Sequence, residues 1–226
     1  MQQFANASTS DAWIRTGSLM GLTAALIYYG MAFPIIPDRL QELLALIFPG
    51  LLLCGHVALF HWFNRQRPSA LNQAALIFGI GAPILFTAMI CAQMSMANYM
   101  DRFFHTLDKA GQEAQINIWR AADSIQLGID VAWDMFILPT ILMFAILAFR
   151  HLPFGKLIGA AGVVLGIGGL VFNIWTFPTP PIDVGLPDVG PFAMAWYAIF
   201  FATVFLNRSS STIENQQLKR VGAEFG

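Results

Sequence analysis

The chain has 226 residues, of which 57% are hydrophobic and 11% charged, with a formal net charge of -1. A soluble domain carries about twice that share of charge, and mean hydropathy here is +0.62. These figures exclude a disordered chain, a coiled coil and an ordinary soluble domain. The balance of 12 basic and 13 acidic residues provides no basic surface for nucleic acid. The expectation is an all-α polytopic membrane helix bundle, a single transmembrane domain over 1–226, with the lipid bilayer as its first partner.

A spanning helix needs roughly 20 mainly apolar residues. Six runs meet this, at about 13–33, 40–63, 70–98, 120–149, 154–176 and 191–206, followed by a tail at 207–226. The first ten residues carry no Lys or Arg, and Met31-Ala-Phe-Pro-Ile-Ile-Pro37 lacks a small-x-small cleavage site, so the first span reads as retained. Basic residues assign the sides. Arg15, Arg65, Arg67, Arg150, Lys156, Arg208, Lys219 and Arg220 fall on one side. Arg39, Arg102, Lys109 and Arg120 fall on the other, interleaved with Asp38, Glu42, Asp101, Asp108 and Glu113. Both termini are therefore expected in the cytoplasm. The connections after spans one, three and five then face outward.

Helix rise converts sequence distance into depth. A core of about 30 Å uses about 20 residues at about 1.5 Å each. From Arg67 that reaches only to about Ile90, and from Arg150, counting back, to about Asp130. Helix-compatible but more polar sequence continues past both points, through Gln93, Ser95, Asn98 and Asp101, and through Gln126, Ser124 and Asp123. Helices three and four are thus expected to extend beyond the outer membrane surface and to join near Lys109-Ala-Gly111. Phe103, Leu107, Ala110 and Ala114 recur at helical spacing, a stripe suited to lying on the membrane or packing back on its partner.

Asp123, Asp130 and Asp134 fall on one face of span four, with Gln126 beside them. Acids at membrane depth usually face a protein interior or a wet cavity. One reading is a polar vestibule open to the outside, with Asp123, Gln126, Asp130, Asp134 and Asn98 as candidate ligands for a proton, a cation or a small basic molecule. The other is structural, in which the acids pair with Arg102, Arg120 or Asn98 and pin the hairpin. Asp134 is the deepest of the three.

No His-Glu-x-x-His, Gly-x-Ser-x-Gly or P-loop pattern occurs, and no cluster of His and Cys at metal spacing. Cys54 and Cys91 lie in apolar runs at different depths and are expected to be free thiols. His56 sits near mid-membrane, about 14 Å from Arg65. It suits a proton relay, a haem or metal ligand, or a hydrogen-bonded interior residue. A bis-His haem site needs a partner at similar depth, which His61, His105 and His151 do not offer, so the cofactor stays unknown.

Span five carries Gly155, Gly159, Gly162, Gly166 and Gly169 on one narrow face, where small residues let helix backbones approach. The expected neighbour is the Ser124, Gly128 and Ala132 face of span four, with a homodimer as the other occupant. Pro83 and Pro139 should kink their helices.

The segment Phe154-Gly-Lys-Leu-Ile-Gly-Ala-Ala-Gly162, with the glycine-rich span after it, resembles the later half of some uncharacterised six-helix bacterial membrane proteins. The likeness covers about a quarter of the chain and implies a six-helix fold in a bacterial inner membrane, with no functional residue. Three functions remain open: binding or transport at the acidic vestibule, an accessory or scaffolding subunit of a membrane complex, and a lipid-acting intramembrane enzyme using Asp130 and Asp134.

Overall fold

The computed structural model describes residues 2–32, 36–152 and 154–224, and the side chains of 11–31, 36–152 and 154–207. The described chain is helical, with no strand: α1 (Gln2–Ala32), α2 (Asp38–Gln66), α3 (Ala70–Phe103), α4 (Lys109–His151), α5 (Gly155–Thr176) and α6 (Gly190–Glu224). Short 3-10 turns, Phe104–Thr106 and Pro181–Val184, interrupt the connections after α3 and α5. Five helices, α2 to α6, are long and apolar enough to cross a membrane. α1 has the length, at 31 residues. Arg15, Thr16, Ser18, Thr23, Tyr28 and Tyr29 dilute its apolarity.

Each helix packs against its sequence neighbour, α1 on α2, α2 on α3, α3 on α4 and α4 on α5, and α6 returns to lie on α1. α6 meets α5 more sparsely, where the Trp196 indole N–H donates to the Ile158 carbonyl at 2.8 Å. The core is aromatic. Phe63, Phe144, Phe200, Phe201 and Tyr197 are fully enclosed, while Ile77, Ile84, Leu157, Val164 and Ile174 are exposed on the outside of the bundle. Such a continuous apolar exterior is what a bilayer would cover.

The tightest crossing joins α1, α2 and α6. A Cβ on Gly55 would sit 2.8 Å from the Gly21 Cα and 2.6 Å from the Phe201 ring. On Gly17 it would meet the Cys54 carbonyl oxygen at 2.6 Å. Gly17 and Gly21 form a small-x-x-x-small pair that lets backbones close up.

α3 and α4 contain 34 and 43 residues, against 22 in α5, so at about 1.5 Å per residue they span about 51 and 64 Å. Their turn lies at 104–108 and not at Lys109–Gly111. The Asp108 carboxylate accepts the Gly111 N–H at 2.9 Å, which makes Lys109 to Gly111 the first turn of α4. Phe103, Leu107, Ala110 and Ala114 are all exposed, so their stripe does not pack back on the hairpin. The expected tail also differs: α6 runs unbroken to Glu224, past the expected span end near 206. Phe33 and Pro34 of the first connection, and the side chains of Arg208, Lys219 and Arg220, lie outside the described residues.

The glycine face of α5 is buried throughout, and it fits α4 of the same chain. Its neighbours are not Ser124, Gly128 and Ala132. A Cβ on Gly159 would meet Phe149 at 2.6 Å, on Gly162 Ala145 at 2.7 Å, on Gly166 Leu142 at 3.0 Å and on Gly169 Leu138 at 2.8 Å. The cause is the antiparallel hairpin. With a turn of only a few residues after His151, Gly155 must face Ala148, and each later glycine pairs with an earlier residue of α4. Gly128 is nearly three turns beyond the last of them and has nothing within 4 Å.

Candidate functional site

All three connections at one end of the bundle, after α1, α3 and α5, lie opposite the ends that carry the termini. Near this hairpin end a cavity of about 160 Å³ opens between α1, α3, α4 and the α5–α6 connection. Asp130 and Asp134 of α4 line it one turn apart, both partly buried. A third carboxylate comes from the connection. Asp188 lines the cavity and accepts the Gly190 N–H at 2.8 Å, which fixes its side chain at the start of α6. Asp188 and Asp130 act electrostatically on Asp134.

The walls are aromatic. Tyr28, Phe86 and Trp133 line the cavity beside Met89. They are held by a stack across the core, Tyr28 to Phe48 at 5.9 Å, Phe48 to Phe86 at 4.7 Å and Phe86 to Trp133 at 5.4 Å between ring centroids. Pro180 and Pro181 close one side.

Two buried polar groups at this place lack partners. Trp133 is 5% exposed and its indole N–H makes no hydrogen bond. Asn173 is fully buried, donates to the Gly169 carbonyl at 3.0 Å and keeps its own Oδ1 unpaired. Its amide reaches Asp134. Asn173 continues the glycine face of α5 by one turn, so the seam that packs α5 on α4 also delivers a carboxamide to the deepest acid.

No Lys, Arg or His lines the cavity. Arg102, Arg120 and Asn98 are exposed, and among the described residues the ion pair formed is Arg65 with Asp11, at the other end. Asp123 is partly buried, two turns of α4 nearer the hairpin tip, and Gln126 is buried; neither lines the cavity. Of the five residues the sequence singles out, the structure brings together Asp130 and Asp134. It adds Asp188, Asn173, Tyr28 and Trp133. Asp188-Val-Gly-Pro191 is a recognisable helix start, but its nearness to α4 has no local signal.

Compared with known proteins, the chain matches no family model, no curated protein and no solved structure.

Among the described residues, no three His, Cys, Asp or Glu side chains converge where a metal ion would sit. The carboxylates surround a space and do not chelate a point.

His56 has a separate place, fully buried between α2, α3 and α6. Its Nδ1 lies 2.7 Å from the Gly79 carbonyl oxygen and its Nε2 lies 2.9 Å from the Tyr197 hydroxyl. A carbonyl only accepts, so Nδ1 carries the proton, and in the neutral ring Nε2 accepts from Tyr197. The Gly79 carbonyl needs this donor. Its helical partner would be the N–H of residue 83, which is proline and has none. Gly79 admits the ring because it lacks a side chain: a Cβ there would be 3.0 Å from His56 Cγ. Both ring nitrogens are thus engaged by protein, which leaves no lone pair for a haem or metal.

Proposed function

We propose that this is a multi-pass protein of a bacterial inner membrane, with its termini in the cytoplasm and its long hairpin outside, and that its acid-lined cavity binds a small organic cation from the outer side. One observation carries the reading: three carboxylates share a cavity of about 160 Å³ that no basic side chain lines. Mutual repulsion among Asp130, Asp134 and Asp188 is relieved by a positive guest. The faces of Tyr28, Phe86 and Trp133 favour an alkylammonium group over a bare ion, since aromatic rings attract desolvated cations. Asp130, Asp134 and Asp188 supply acceptors for an ammonium N–H. Such a reading suits a receptor or the outward state of a transporter.

The test is calorimetric titration of the purified protein with butylammonium, tetramethylammonium and calcium chloride. Saturable binding of an alkylammonium is expected, weakened at least tenfold by Asp134→Asn, which is about 1.4 kcal/mol, and little changed by Asp123→Asn. Equal affinity in all three proteins, or tighter binding of calcium than of either ammonium, would refute it. A stable complex with another membrane protein, together with no ammonium binding, would favour the scaffolding role.

A further inference from the structure

α5 and α6 diverge on the outside of the bundle. α5 is held to α4 by its glycine face and α6 lies on α1, so the two meet sparsely, at the bond from the Trp196 indole to the Ile158 carbonyl. Their divergence leaves a groove of about 570 Å³ on the outer surface, lined by apolar residues throughout. Leu157, Ala160 and Val164 form its α5 wall, and Phe192, Trp196 and Ile199 form its α6 wall. Trp196 is a fixed floor, 5% exposed, with its one polar atom engaged by Ile158. Ala160 is exposed and small, which keeps the groove open.

Length and charge say what fits. Along α5 the groove runs from Leu157 to Leu165, about 12 Å of helix, which nearly matches half of a hydrocarbon core of about 30 Å. Lys156 stands at the end nearer the termini. It precedes Ala160 by four residues and Val164 by eight, so the three share one row of the helix. Its side chain is exposed, and a lysine so placed lays its methylenes along apolar surface while its ammonium reaches the headgroups. Arg150 is exposed at the same corner, and no Asp or Glu occurs between Asp134 and Asp183. Among the described residues neither cation forms an ion pair. The first turn of α5 begins here without a side-chain cap, and its dipole favours a negative charge. A second copy fits this face poorly. In the same membrane orientation a two-fold partner brings the same surface to the same level, so Lys156 would meet basic residues and no acid. A zwitterionic headgroup sets its own cation beside the phosphate, which the basic corner repels.

We propose that the α5–α6 groove binds an anionic phospholipid from the leaflet on the side of the termini. One acyl chain lies against Trp196, between Ala160 and Ile199, and the headgroup phosphate pairs with Lys156. The site shares no residue with the acid-lined cavity and stands whatever that cavity binds.

Native mass spectrometry of the full-length protein tests this, with titration by dioleoylphosphatidylglycerol and, separately, by dioleoylphosphatidylcholine, which has the same chains. The wild type should bind the first phosphatidylglycerol about fivefold more tightly than the first phosphatidylcholine, the scale expected of one basic group near a membrane surface. Lys156→Gln should remove that preference and Lys156→Arg should keep it. Ala160→Phe fills the groove from an exposed position, so it should weaken both lipids about tenfold with no loss of melting temperature. Equal affinity of the wild type for the two lipids, or lipid binding untouched by Ala160→Phe, would overturn the proposal. So would a dimer that Ala160→Phe splits and neither lipid displaces, since the groove would then belong to a second copy.

Discussion

The His56 contact with the proline-interrupted α3 makes a prediction that separates packing from hydrogen bonding. His56→Leu keeps an apolar side chain of moderate size but orphans two buried groups, the Gly79 carbonyl and the Tyr197 hydroxyl. Each orphan costs about 1–3 kcal/mol, so the substitution should destabilise by about 2–6 kcal/mol. Pro83→Ala restores an N–H at position 83, within one helical turn of Gly79, and lets the helix bond its own carbonyl. In that background the Gly79 part of the loss disappears. His56→Leu should then cost about 1–3 kcal/mol less than in the wild type, a coupling within the range seen for residues that share a partner. Tyr197→Phe breaks only the other side of the network and should not couple to Pro83→Ala. The assay is equilibrium unfolding of the four proteins of the cycle in one detergent, with Tyr197→Phe as control. Additivity of His56→Leu and Pro83→Ala to within about 0.5 kcal/mol would refute the idea that the imidazole stands in for the missing N–H.

The two faces of α5 should answer a methyl group with opposite signs. Gly162→Ala drives a Cβ to 2.7 Å from both Ala145 and the Trp196 indole nitrogen; overpacking of about 1–3 kcal/mol and a strained Trp196–Ile158 bond should lower the melting temperature. Gly168→Ala meets nothing within 4 Å and should raise it, by up to about 1 kcal/mol of helix propensity; equal melting of the two variants would show that the seam does not carry the packing. For topology, a cysteine placed at Gln112 in a Cys-free background should react with an impermeant thiol reagent from outside intact cells, and one at Ser210 only after permeabilisation. Labelling of the Gln112 position from the cytoplasmic side alone would invert the proposed orientation.

Much of the bundle was written in local pattern. Apolar runs marked the helices, the drift toward polarity past Ile90 and before Asp130 marked the long hairpin, and the spacing of Asp130 and Asp134 marked one face of α4. What escaped was whatever depends on two distant segments meeting. In sequence Asp188 is a loop charge between Pro187 and Val189, and only the fold brings it beside α4. In sequence Asn173 is one polar residue near a helix end, and it falls on the glycine face. The partner of that face was misplaced because small residues at Ser124, Gly128 and Ala132 matched by composition, whereas the tight turn dictates pairing by distance from the turn. The Gly17–Gly21 pair in α1 carried a readable close-packing signal. Its larger consequence, the insertion of the Phe201 ring, depended on α6 returning to the first helix.

The turn between α4 and α5 has a reach that its size conceals. Phe154 enters α5 in the left-handed backbone region, φ 56°, and from there both helices run back to back with no further adjustment. Each position on α5 inherits its bearing from that corner, including Asn173, about five turns away. One residue inserted after His151 would turn all of α5 by about 100°, present Phe172 to Asp134 in place of the carboxamide, and leave every glycine facing the wrong way. The cavity at one end of the bundle is therefore timed by a bend at the other, as the hands of a clock are set by a stem on its rim.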